Sequence, residues 1–297
     1  MDKKNKYFIE ALNTQGYIFQ EKCSTLLKEA RKKGDIDWSV YVEEYPTSFY
    51  GQDTRVDLIL EKGYYDTHKK NGRFLIVECK KPDPRYSSWV FTQCREINEN
   101  LKAIQVEIRS ITSGEENLPV VKSYEYDLYN FLKDSYFASY GIEVSYDYKA
   151  EKNNVDKNRK QTKTETIYNA CSQVFKGQNG FVFEEITKKI THAELCDFVY
   201  LPAIFTTAKL FAALYDIKDV DIISGRINKA EVVEVPWIIL DWGLTHPLEF
   251  EMEDYNKETK SVFRYDSQEL HEKIKRKPIF IVNSEHIIHF LQKLKFQ

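Results

Sequence analysis

The chain has 297 residues, with 43 Lys and Arg against 46 Asp and Glu, a net charge of −3, 42% hydrophobic residues and only 11 Gly and 8 Pro. Such a composition is globular rather than disordered or fibrous, and it is long enough for one large domain. It excludes a basic coat over the whole surface, while leaving room for a local basic cleft.

Residues 17–33 read as a helix, because Phe19, Cys23, Leu26, Leu27 and Ala30 recur at helical spacing and Gly34 follows. A strand is expected at 38–42, ended by Pro46, a second at 55–60 and a third at 74–80. Asn71-Gly72 predicts a hairpin turn that folds the second and third strands antiparallel. Pro82 and Pro84 close the third strand, and 89–109 reads as a helix. A short helix is expected near 128–132, and the polar run 149–163 reads as a basic loop with no core face. Helices are expected at 166–175 and 181–190, and a buried strand at 198–205. Further strands at 236–240 and 278–282 and a last helix at 285–294 complete the reading.

The charged start and the odd set Cys23, Cys79, Cys94, Cys171 and Cys196, none in a CxxC pair, read as a cytoplasmic protein with reduced thiols and no signal peptide. The longest apolar stretch, 198–215, contains Pro202 and Lys209, so no membrane partner is expected.

The chemistry concentrates at the end of the third strand. Phe74-Leu75-Ile76-Val77 is apolar on both faces, as in a central strand, and it runs into Glu78-Cys79-Lys80. Side chains alternate along a strand, so Glu78 and Lys80 share a face. Asp57, within Val56, Leu58 and Ile59, is carried alongside by the second strand. Buried charges are expensive unless they pair or bind a metal. Two converging carboxylates suit a hard divalent ion, Mg2+ or Mn2+, which retains positions for water and phosphate. A lysine beside them can orient the attacking water or stabilise phosphate charge.

Asp57 followed after a hairpin by Glu78-Cys79-Lys80, with a helix before and a helix after, resembles the PD-(D/E)XK nuclease superfamily. The resemblance implies an α/β restriction-endonuclease-like fold, an αβββαβ core on a mixed central sheet. It covers residues 17–109 directly, and the core is expected to continue over about 165–215, with an insertion at about 110–164 and a C-terminal extension at about 216–297, all in one domain. Val56 stands where many members carry a proline. The tripeptide itself is weak, since an acidic residue two before a lysine occurs at Asp2, Glu78, Asp147, Asp216 and Glu258. Only Asp216, with Asp197 upstream, competes, and Ala208–Leu214 before it reads equally as helix.

By the same resemblance Asp57 and Glu78 hold the metal and Lys80 acts on water or phosphate. A first-helix carboxylate points to Glu21, although Glu21 lies opposite the apolar face and Gln20 lies at its edge. Gln173 resembles a glutamine that some relatives place near the scissile phosphate. The implied partner is nucleic acid, DNA before RNA, met by Lys69, Lys70, Arg73, Lys81 and Arg85 and by Lys157, Arg159 and Lys160 of the basic run. A role in prokaryotic restriction or phage defence follows only by analogy. The rival readings are an inactive nucleic-acid-binding or scaffold module of the same fold and a phosphodiesterase acting on RNA or a small nucleotide. A protein partner, an activating ligand and self-association are compatible with all of them.

Overall fold

A computed structural model of the chain describes residues 3–13, 15–49, 52–65, 70–93, 102–113, 116–127, 135–145, 162–191, 196–243 and 276–294. Helix α1 (Lys3–Asn13) precedes α2 (Tyr17–Lys33), and three strands follow: β1 (Ser39–Phe49), β2 (Gln52–Tyr65) and β3 (Lys70–Lys80). Next come β4 (Ser88–Gln93), β5 (Lys102–Ser113), β6 (Glu116–Asp127), β7 (Tyr136–Val144) and β8 (Thr162–Lys163). Helix α3 (Glu165–Thr191) leads into β9 (Cys196–Thr206), β10 (Lys209–Leu214), β11 (Glu231–Val235), β12 (Trp237–Gly243) and β13 (Arg276–Asn283), and α4 (Ile287–Lys293) follows.

The architecture is α/β, with one large mixed sheet and few helices. Its main path runs β1-β2-β3-β9-β13-β12-β7-β4-β10-β11. Strands β1, β2 and β3 form an antiparallel meander, and β3 lies parallel to β9 from Lys70↔Cys196 to Lys80↔Thr206. The far edge of β9 is shared: its first half pairs with β5 and its second half with β13. The segment read as a C-terminal extension thus supplies two interior strands, β12 and β13.

Helix α2 covers one face. Its Cys23, Leu27 and Ala30 pack with Leu58, Leu60, Leu75, Val77 and Phe280. It stops where Gly34 adopts φ 79°, a left-handed conformation open to glycine, and Arg31, Lys32 and Lys33 complement the carbonyl end of its dipole. The opposite face lies under α3, whose Ile167, Ala170, Cys171, Val174 and Phe181 pack on Ile59, Phe74, Ile76 and Tyr200. Each large side chain fully buried this way contributes about 1.5–3 kcal/mol.

Several expected elements are corrected. Residues 88–93 form a strand, not a helix: Trp89 and Phe91 are fully buried and alternate with half-buried Val90 and Thr92, a period of two. Residues 102–113 are also a strand, in keeping with the alternating Ile104, Val106 and Ile108. Asn71-Gly72 is not a turn, because Asn71 pairs with Tyr64 and Gly72 with Gly63 inside the ladder. Gly72 is required for another reason: a Cβ there would stand 2.7 Å from the Phe198 ring on β9. Pro46 does not end β1, which continues to Phe49 at the sheet edge, where a missing N–H is tolerated. Residues 209–214 are strand rather than helix. The short helix near 128–132 and nearly all of the basic run 149–163 lie outside the described residues.

The two helices expected at 166–175 and 181–190 are one, α3. Its glycines serve close packing. A Cβ on Gly177 would meet Val56 Cγ2 at 2.5 Å, and one on Gly180 would meet Thr47 Oγ1 at 2.3 Å and the Ser48 carbonyl oxygen at 2.9 Å. Gly180→Ala is therefore expected to destabilise the protein by about 1–3 kcal/mol through overpacking. Helix propensity alone would instead stabilise by about 1 kcal/mol. The sign of the shift in a denaturant melt decides between them.

Candidate active site

The ladder between β2 and β3 ends at Leu58↔Val77. One step beyond it, the Cys79 N–H donates to Asp57 Oδ2 at 2.7 Å. A carboxylate thus takes the place of a main-chain acceptor where the ladder stops. The Asp57 carbonyl is held from the other side by Gln20 Nε2 of α2 at 3.1 Å. On β3, Glu78 is only 4% exposed. Lys80 Nζ reaches Glu78 Oε1 at 2.8 Å. Pairing with β9 through Glu78↔Ile204 and Lys80↔Thr206 keeps this end of β3 in place.

The electrostatics follow from burial. Loss of solvent pushes Glu78 up to about 7, with the Asp57 charge adding to the shift and Lys80 opposing it. Burial also raises Asp57, against the Cys79 N–H and the Lys80 charge. Two carboxylates are therefore crowded into a site where water compensates neither of them fully.

They open into a cleft of about 740 Å³ lined by Pro46, Thr47, Asp53, Thr54, Arg55, Asp57, Glu78 and Gln173. A second arm of about 710 Å³ shares Asp53, Thr54 and Gln173 with it and adds Lys80, Lys163, Asn169, Ser172 and Lys176 among its lining. One wall is braced by Glu184 of α3, which accepts from Tyr45 Oη at 2.5 Å and Thr47 Oγ1 at 2.6 Å.

The structure thus brings Asp57, Glu78, Lys80 and Gln173 to one cleft. Glu21 is exposed on α2 and does not line it; the neighbouring Gln20 is the helix residue that reaches Asp57. Lys70 opens β3, ten residues or about 33 Å from Lys80, and Arg73 lies about 17 Å from Glu78 along the same strand, so neither flanks the site. Arg73 Nη1 donates to the Gly72 carbonyl at 3.1 Å. Lys81 donates to the Asn13 carbonyl, which ties it to α1. Arg85 pairs with Asp83 at 2.6 Å on the surface. Lys69, Lys157, Arg159 and Lys160 lie outside the described residues. Asp216 accepts from the Lys218 N–H at 2.9 Å and caps a short 3-10 turn.

Sequence reasoning passed over Asp53, Arg55, Asn169 and Lys176, and Lys163 entered only as the last residue of the basic run 149–163. A signal existed for part of this set: Glu165, Asn169, Ser172 and Lys176 recur at four, three and four residues, one polar face of a helix.

The donor set suits a hard divalent ion, because Glu78 is a buried carboxylate whose charge lacks solvent, feels the Asp57 charge and shares one cleft with it. Among the described residues no group of three or more His, Cys, Asp or Glu forms a metal cage. Two protein carboxylates would leave the remaining positions to water and phosphate. Among the described residues no helix is long and apolar enough to cross a membrane. No family model, no curated protein and no solved structure gives a significant match to this chain.

Proposed function

We propose that the protein is a metal-dependent nuclease that hydrolyses phosphodiester bonds of nucleic acid, DNA before RNA. The observation that carries this reading is the convergence of Asp57, Glu78 and Lys80 in one cleft, at a buried strand end where their charges are costly. The order α2-β1-β2-β3, then α3-β9 with β9 parallel to β3, supports the restriction-endonuclease-like reading of the core. On this view β4–β8 stand between its two halves.

In this reading Asp57 and Glu78 would hold a magnesium ion, and the chemistry it would supply is polarisation of the phosphate and a more nucleophilic water. Lys80, released from Glu78, donates to the attacking water or to a phosphate oxygen. The Gln173 amide lines both arms of the cleft, and in this reading it would donate to a neighbouring phosphate oxygen. The water oxygen bonds to phosphorus and the bond to the leaving sugar oxygen breaks. The proton lost by the water ends on that leaving oxygen.

The test is incubation with plasmid, single-stranded DNA and RNA in magnesium, manganese or excess chelator. DNA is expected to be nicked or degraded with either metal and spared in chelator. Undiminished cleavage in chelator overturns the metal mechanism. Absence of both cleavage and magnesium binding, the latter measured by calorimetry, overturns the nuclease reading.

A further inference from the structure

We propose that the second arm of the cleft, along α3, is the track for the phosphate backbone of DNA beside the scissile phosphate, with Lys163 and Lys176 as its two phosphate contacts. The inference rests on the nuclease reading and commits it to a polynucleotide rather than a small nucleotide. The arm is continuous with the Asp57–Glu78 cleft through Asp53, Thr54 and Gln173. From Glu165 to Lys176 the helix rises about 17 Å, which equals about five steps of a DNA strand at 3.4 Å each. A span of that length suits a strand rather than a mononucleotide.

Both lysines are set in place by strands under the groove. Lys163 Nζ lies 3.8 Å from Oε2 of Glu143 and 4.5 Å from the Tyr86 ring centroid. Glu143 is fully buried on β7, and its other oxygen accepts from the Thr166 N–H at 2.7 Å, which ties Lys163 to the start of α3. Lys176 Nζ donates to Gln52 Oε1 of β2 at 3.0 Å. Between them Asn169, Ser172 and Gln173 present amide and hydroxyl groups, the usual partners of phosphate and sugar. Asp53 and Glu165 share the lining. The groove is therefore mixed in charge, and binding there is expected to be weak at high salt and dependent on the spaced lysines.

The test uses Lys80→Ala protein in magnesium, a background designed to bind without cutting. Duplexes of increasing length and a dinucleotide are titrated at several salt concentrations. Affinity is expected to rise with length to beyond about five base pairs. Lys176→Ala and Lys163→Gln are each expected to lower the slope of log affinity against log salt by about one and to weaken binding at every sequence tested. Lys176→Ala removes a groove-wall side chain and keeps the test valid if Lys163→Gln, beside buried Glu143, fails to fold. An unchanged salt slope in a folded Lys176→Ala protein that still binds duplex overturns the track and leaves the nuclease reading standing. Equal affinity for the dinucleotide and the long duplex also overturns it, in favour of a small-nucleotide occupant. If the wild-type protein neither binds nor cuts nucleic acid, both fall together.

Discussion

Lys80→Ala is expected to lower cleavage by about 100- to 10,000-fold, the range for loss of a positioned proton-handling group, while magnesium still binds. Affinity for the metal should be equal or higher, because the change removes a cation 2.8 Å from a ligand oxygen. The fold should lose little near neutral pH, since Glu78 is already pushed up to about 7 and takes a proton when its partner goes. Asp57 behaves differently. Asp57→Ala strips the Cys79 N–H of its acceptor, which costs about 1–3 kcal/mol if that amide stays unpaired. Asp57→Asn leaves an amide oxygen for Cys79 and removes only the charge. It is expected to lose cleavage and to weaken magnesium by more than the roughly 10–100-fold typical of outer-shell changes, with thermal stability held or raised. Melting temperature, magnesium affinity and cleavage are to be measured on the same preparations. If Lys80→Ala is clearly destabilised and still cuts, the three residues are an ion-pair cluster and not a catalytic site.

Without metal, stability should fall as pH rises from about 4.5 towards 7 and then level off, and Glu78 should be the largest single cause. Its folded pKa of about 7 exceeds the ordinary 4.5, so between these values the folded state holds more protons than the unfolded state. Stability then declines with pH. The stabilisation is complete below the unfolded value and gone above the folded one. A shift from 4.5 to about 7 corresponds to about 3 kcal/mol. Asp57, also raised by burial, adds in the same direction. Glu78→Gln should therefore match the wild-type protein in acid and exceed it in stability at pH 8. Magnesium should reverse the trend, because binding needs the ionised carboxylate. Its affinity should rise through this window and plateau above it, with a proton taken up by buffer on binding at pH 6. Melts of wild type and Glu78→Gln across pH, with and without magnesium, check each part. A stability difference that does not vary with pH would remove Glu78 from the titration.

Some of this was legible from residue order. An apolar run on both faces, Phe74–Val77, that meets charge only at Glu78 and Lys80 makes sense as a central strand with its chemistry at the end. Helix α2 and its glycine stop follow from local helical period and from Gly34 just past its end. Local pattern also misled. Asn71-Gly72 carries a hairpin signature, yet the ladder extends through it because each added pair contributes hydrogen bonds and Gly72 makes room for Phe198.

Residue order determined an α/β chain with Asp57, Glu78 and Lys80 grouped at one strand end, because strand alternation and an apolar run that stops at a charge are patterns among neighbouring residues. Tertiary structure alone decided what surrounds them. Glu184 meets Thr47 across 137 residues of sequence, and Gln20 meets the Asp57 carbonyl across 37. Contacts of that separation have no local signature. They arise because α3 and α2 must each cover an apolar face of the same sheet, and in doing so they bring Gln173, Lys176 and Gln20 to positions that helical period describes but cannot assign to a neighbour. The raised Glu78 carboxyl has the same origin, since desolvation comes from everything packed around a group and not from the residues beside it in the chain.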